Sequence, residues 1–283
     1  MKTLAAMTLG IFLTLATSIG AGAATTLVRM SDHQPVELGK CVEELGRSDV
    51  IFVGDTHDDP DLHNKQMELI RALYAKNPQL AIGVEMFTSE SQAALDGWTR
   101  GKLDEPAFEA IYARNWSYDW RLYRDIFIFA RDNRIPMIAL NVPKRLIAKV
   151  VRFGPQGLSE EERKELPPGD PWTLAPRQAE FLKRLQEQVF GNRPARLNRA
   201  NFEAAQGLRN HTFAYRIEQY LEKTPKAKVI AIAGTWHAIK HGAPDSLKDY
   251  GKLSYKVVLP DLVDFEWQKP TPEDLDYLMP RRK

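Results

Sequence analysis

The chain has a single cysteine, Cys41, among 283 residues. No internal disulfide can form, and zinc sites built on several cysteines and the Cys-x-x-Cys-His attachment of haem are excluded. Cys41 is expected to be a small buried residue. Net charge is nearly absent too, because 39 Lys and Arg stand against 37 Asp and Glu. Such a chain has no electrostatic case for nucleic acid as a partner. No Gly-x-Ser-x-Gly elbow, Walker loop or dinucleotide motif occurs, so serine esterases and nucleotide enzymes lose ground. There is no low-complexity linker inside the chain, and its length suits one large domain.

One long apolar run stands at the N-terminus. Lys2 precedes Leu4 to Ile19, and Ala21-Gly22-Ala23 is a small-x-small cleavage site. This is the pattern of a secretory signal peptide over residues 1–23, and the run is short for a membrane anchor. Cleavage would remove one lysine and no acid, leaving a formal +1. The expected location is the periplasm. No lipid anchor is expected, because Cys41 lies far downstream with no small residues before it.

What the chain has is a repeated strand signature. Val50 to Val53 is an apolar run that meets Gly54, Asp55 and His57. Such a run, bounded by a turn signal, reads as a strand buried on both faces, with Gly54 expected to let the backbone turn. Lys228 to His237, KVIAIAGTWH, repeats the pattern. Two parallel strands that each end in Gly-x-x-His would bring two imidazoles to one sheet edge. Leu80 to Glu85 ends in an acid, and Pro136 to Leu140 runs into Asn141. A carboxylate ending an apolar strand is poorly explained by packing, since buried unpaired acids are costly. In open α/β sheets the carboxyl edge is where ligands bind.

Helical patterns fill the intervals, which is the alternation of a parallel sheet. Met67, Ile70, Leu73 and Tyr74 recur at helical spacing, with His63 near that helix's start and Asn77-Pro78 at its end. His63 is either a solvated or capping histidine or a group standing behind His57. Trp116, Trp120 and Tyr123 fall at i, i+4 and i+7, and Ile126 to Ala130 continues the pattern. The stripe is either core-facing or a face that stacks on a cofactor. Gly154 to Arg199 breaks the rhythm with Pro167, Pro168, Pro171 and Pro176, a charged run from Glu160 to Glu165 and an amphipathic segment. It reads as a helical insertion (154–200) or lid. A long helix follows from Asn198 to Leu221 and carries Arg209, which either pairs with an acid at the edge or lies on the surface. His241 and Pro244 follow the second histidine motif, and His241 is a further group that could reach the site. Ser254 to Leu259 is expected to close the sheet. The domain is drawn as residues 24–265, with 266–283 as a loosely packed tail. The fold class is α/β: a central, mostly parallel sheet flanked by helices, with the insertion above it.

Two imidazoles and two carboxylates suit several chemistries. His57, Glu85 and His237 could ligate a divalent metal. Asp55, His57, Glu85, Arg209 and His237 could form the acid/base set of a hydrolase. The cluster could also lie against haem.

The motifs GDTHDDPDLHNKQ, GVEMF, W-x-x-x-W, ALNVP and AGTWHAIKHGAP, in that order from Val50 to Pro244, resemble the ChaN-like haem-binding uptake proteins. These belong to a superfamily with the Tiki, TraB and erythromycin-esterase-like proteins. The resemblance implies an α/β fold, a part in haem-iron acquisition, and Gly54/His57 and Gly234/His237 as the paired motifs, with the superfamily's acid and arginine falling on Glu85 and Arg209. It implies haem or another small molecule as ligand, and it admits an outer-membrane haem receptor or a homodimer as partner. A tyrosine is expected to ligate the haem iron, with Tyr112, Tyr118 and Tyr123 as candidates and Trp116 and Trp120 beside them. His63, Asn141 and His241 would support the site. The sequence departs from the family by Asp55 in place of a frequent Glu, by Trp236 inside the second motif, and by lacking a lipobox cysteine. The competing reading is a metal-dependent hydrolase that uses the same sheet edge.

Overall fold

The computed structural model describes residues 25–190, 198–261 and 270–281. The expected signal peptide and its cleavage site lie outside them. Eight strands form one sheet: β1 (Thr26–Arg29), β2 (Gln34–Glu37), β3 (Val50–Asp55), β4 (Leu80–Thr88), β5 (Met137–Asn141), β6 (Lys228–Gly234), β7 (Tyr255–Pro260) and β8 (Tyr277–Met279), in the order β2-β1-β8-β7-β3-β6-β4-β5. From β8 to β5 all neighbours are parallel, and β1 pairs antiparallel with both β2 and β8. The sheet is therefore mostly parallel, as the apolar runs imply: every residue of β3 and β4 is buried.

The helices are α1 (Leu38–Leu45), α2 (Pro60–Lys76), α3 (Gln92–Thr99), α4 (Glu105–Asn115), α5 (Trp120–Asp132), α6 (Lys144–Phe153), α7 (Glu160–Arg163), α8 (Pro176–Phe190), α9 (Arg199–Lys223), α10 (Thr235–Ala238) and α11 (Ala243–Ser246). Alternation along the strands divides them. Ile51, Val53, Ile82 and Val84 pack with α1 to α5 on one face, whereas Val50, Phe52, Ala81 and Leu140 pack with α8, α9 and α11 on the other. A strand's side chains alternate by face, so each strand feeds both cores. The edge strand β5 is covered by Gln92, whose amide donates to the Met137 carbonyl at 2.8 Å and accepts from the Ala139 N–H at 2.9 Å.

Four expectations change. The tail is not loose: β8 lies between β1 and β7, and Leu275, Tyr277 and Met279 are buried. The segment Ser254 to Leu259 gives β7, which is interior rather than the closing strand. Gly54 makes no turn, because β3 runs on through Asp55 and Gly54 has no positive φ. Finally, Trp116 and Trp120 share no helix. The α4 helix ends at Asn115, Trp116 is extended, and Asp119 caps α5 by accepting from the Arg121 N–H. A cap that satisfies a free N–H starts a new helix there.

Candidate functional site

Parallel direction puts the carboxyl ends of β3, β4, β5 and β6 on one edge, and β3 and β6 are adjacent with Asp55 opposite Gly234. The two Gly-x-x-His motifs are therefore neighbours in space. Their glycines answer a need for room. A Cβ on Gly234 would lie 3.2 Å from His57 Cε1, 3.3 Å from its Nε2 and 3.4 Å from Glu85 Oε2. A Cβ on Gly54 would lie 2.7 Å from Leu259 and 2.9 Å from Pro260.

Asp55 is the buried hub. Its carboxylate contacts His57 Nδ1 at 2.8 Å and His63 Nε2 at 2.9 Å. It also accepts from Gln66 Nε2 at 3.2 Å and from the Tyr123 hydroxyl. Burial disfavours its charge, but these donors, His57 and His63 first, hold its pKa far below the usual carboxylate range. Burial by itself would lower the pKa of His57. The hydrogen bond to Asp55 and the charge of Glu85 outweigh burial and raise it. The imidazole sits with Nδ1 on Asp55 and its Cε1–Nε2 edge turned toward Gly234 and Glu85.

Glu85 lies opposite. One oxygen accepts from Arg209 and the other from the Gly234 N–H. Asn141 joins them, accepting from Arg209 Nε at 3.2 Å and donating to the Glu85 carbonyl at 3.0 Å. Burial opposes the charge of Glu85, but the Arg209 guanidinium leads the groups that keep its pKa below normal. Of the two readings of Arg209, the ion pair is the one found. His237 is buried, and its Nδ1 lies 2.7 Å from Asn210 Oδ1. Burial and the Arg209 charge push its pKa down to about 3, so it is neutral at ordinary pH. Asn210 in turn donates to Gln178 at 2.7 Å, and Gln178 donates to the Trp236 carbonyl at 3.0 Å. The insertion thus reaches His237 through two amides.

The haem-binding uptake, Tiki superfamily, ChaN family matches residues 41–247. The chain belongs to this family. Among solved structures it is similar to ChaN of Campylobacter jejuni, whose structure shows cofacial haem binding: TM-score 0.72, 17% identity, 90% of this chain and 96% of that one. It is also similar in fold to a mutant of the erythromycin esterase EreC, with TM-score 0.51, 12% identity, and 90% and 81% of the two chains. The curated protein RETICULATA-RELATED 5, chloroplastic, of Arabidopsis thaliana is 26% identical over 142 residues, which are 46% of this chain and 19% of that protein. The chain therefore spans about a fifth of the length of that relative.

The remaining residues of this ChaN-family chain sort by burial. Tyr112, Trp120 and Tyr123 belong to the interior, with Tyr112 and Trp120 rings 5.1 Å apart in a cluster with Trp98, Phe108 and Phe127. They cannot face a haem. Tyr123 serves Asp55 instead. Tyr118 is 37% exposed, and its ring lies 4.9 Å from His57 and 5.7 Å from Trp116. Trp116 meets His57 edge-on at 4.9 Å. These three rings form an aromatic face at the mouth of the site.

His63 is buried behind Asp55 and is no solvated cap. His241 does not join the cluster: it sits 3.7 Å from Asp274 and against the Phe181 ring. The expected divalent metal is not supported. Among the described residues no group of three His, Cys, Asp or Glu could hold a metal ion. The reason is that Glu85, and the Nδ1 atoms of His57 and His237, are already committed to Arg209 and Gly234, Asp55 and Asn210. Gln66, Asn210 and Gln178 were not legible as site residues. Their one signal is polarity at positions on otherwise buried helix faces.

Proposed function

We propose that this chain binds haem on the face formed by Tyr118, Trp116 and His57, as a secreted periplasmic protein of haem-iron uptake. The carrying observation is the exposed Tyr118 ring set against His57 and Trp116, in a chain of the ChaN family. Haem is an apolar plate, so its affinity comes mostly from covering its faces, with one ligand fixing the iron. Of the three tyrosines that the family resemblance brings forward, only Tyr118 offers a hydroxyl outside the core, and phenolate is a known iron ligand. His57 supplies a ring edge rather than a ligand, because its Nε2 is turned inward to Gly234. The second haem face is left for another copy of the chain or for an outer-membrane receptor. Secretion rests on the N-terminal pattern ending at Ala23. A Soret titration tests the reading: wild type should saturate, and Tyr118→Ala should weaken binding at least about tenfold. No saturable change in wild type would sink it. Intact mass of the periplasmic protein tests processing, with a mature start at Ala24 expected and a retained N-terminus the contrary result.

A second reading, hydrolysis, is favoured by one observation. The environments of His57 and His237 push their pKa values apart, one raised and one lowered to about 3. Paired groups driven in opposite directions are how acid and base roles are assigned. Turnover of simple esters that disappears in both His57→Ala and His237→Ala, without a Soret change in wild type, would promote it.

A further inference from the structure

His57 and His63 both lean on the Asp55 carboxylate, whereas His237 is held by neutral amides. The direction of those hydrogen bonds fixes where its proton sits. The chain of contacts starts at a group that cannot donate. The Trp236 carbonyl only accepts, so the atom of Gln178 that meets it at 3.0 Å is the amide nitrogen. The Gln178 oxygen is then left to accept from the Asn210 nitrogen at 2.7 Å. Asn210 therefore turns its own oxygen to His237 Nδ1, 2.7 Å away, and that nitrogen must carry the hydrogen. One backbone carbonyl thus orders two amides and an imidazole, each of which has two orientations or two tautomers by itself.

The surroundings hold this arrangement. Gln178, Asn210 and His237 are all buried, where an unpaired polar atom is costly, so the reversed directions are disfavoured. The His237 ring also lies against Phe213, with centroids 5.2 Å apart, and Arg209 covers the same Phe213 ring at 5.8 Å. Asn210 and Phe213 stand on α9, and Gln178 stands on α8 in the insertion. His237 is neutral at ordinary pH, and a neutral imidazole has one hydrogen. With that hydrogen on Nδ1, Nε2 keeps its lone pair. Among the described residues Nε2 has no hydrogen-bond partner, and it is not one of the enclosed side-chain atoms that lack one, so it is open to a ligand. We infer that Gln178 and Asn210 are positioning residues that set His237 as a hydrogen-bond acceptor, through Nε2, for a ligand group that donates: a hydroxyl, a water or an N–H. A carbonyl or a carboxylate is refused at that atom. The assignment concerns the polar end of the site and does not rest on the haem reading.

The test is a long-range proton–nitrogen correlation spectrum of the isotope-labelled full chain at mildly alkaline pH, in which protonated and unprotonated ring nitrogens separate. His237 is assigned by the loss of its signals in His237→Gln. Wild type should show Nδ1 protonated and Nε2 unprotonated. Gln178→Leu frees the Asn210 amide to turn over, so both ring nitrogens should shift toward the middle of the range as the two tautomers mix. Adding Asn210→Asp, whose ionised side chain only accepts, should restore the wild-type pattern. A merely structural role for Gln178 predicts no such rescue. A protonated Nε2 in neutral His237 of wild type would overturn the assignment and reverse the ligand class, and that measurement needs no variant to fold. An unshifted spectrum in Gln178→Leu, or a double variant that stays mixed, would overturn the positioning role.

Discussion

Gly234 and His57 stand so close that a single added methyl on the glycine would touch the imidazole, at 3.2 Å from Cε1. The backbone at Gly234 has φ −47°, which any residue adopts, so space is the constraint. Gly234→Ala should push His57 by a few tenths of an ångström and cost about 1 kcal/mol, and Gly54→Ala, facing Leu259 at 2.7 Å, should cost about 2–3 kcal/mol. Denaturant unfolding of both variants checks the order, and the reverse order would contradict it.

Arg209, part-buried, and the buried Glu85 form an ion pair at the site. Arg209→Ala leaves the carboxylate unpaired and should cost about 3–5 kcal/mol. Arg209→Met with Glu85→Leu should lose clearly less than the sum of the single changes. A double-mutant cycle in urea measures the coupling, and additivity would show that the pair is not a unit.

The two site histidines give stability opposite pH dependences. The unfolded chain protonates His237 near 6.5, while the folded chain resists to about 3. Its contribution is therefore complete above 6.5 and is lost as pH falls toward 3, at a slope approaching about 1.4 kcal/mol per pH unit. His57, with a raised folded pKa, stabilises fully below 6.5 and loses that contribution as pH rises through its folded value. Asp55 and Glu85 are depressed and add losses chiefly below about pH 4.5. Between about pH 6 and 4.5 the slope should come from His237 together with His211, whose pKa burial also lowers. His237→Gln should reduce it, and an unchanged slope in urea melts would refute the assignment.

The three tyrosines should separate cleanly. Tyr118→Phe keeps the ring and removes the hydroxyl, so it should change the haem spectrum and weaken binding by about tenfold with little change in stability. Tyr123→Phe removes a donor from Asp55 and should cost about 1–3 kcal/mol with little direct effect on haem. Tyr112→Phe should be close to neutral in binding, since its hydroxyl is buried without a hydrogen-bond partner among the described residues. Titrations and melts of the three variants decide, and a haem effect from Tyr112→Phe would argue against this sorting.

Much of the site was legible because parallel strands convert sequence pattern into position. Apolar runs that end in Asp55, Glu85, Asn141 and Gly234 must be buried strands, and strands of one direction share a carboxyl edge. The sequence by itself therefore determined the α/β class, the sheet edge that carries the polar groups, and both histidine motifs.

Tertiary structure alone decided which aromatic rings are core and which are surface. Tyr112, Tyr118 and Tyr123 look alike in sequence, but Asp119 starts a new helix and turns Tyr123 inward onto Asp55 while Tyr118 stays outside. It also decided the fate of the C-terminal segment. Tyr277–Met279 is short and follows a charged, proline-bearing stretch, so no local pattern marks it as a strand. Its place comes from the open edges of β1 and β7, because unpaired backbone groups at two edges are satisfied by a strand that fits between them.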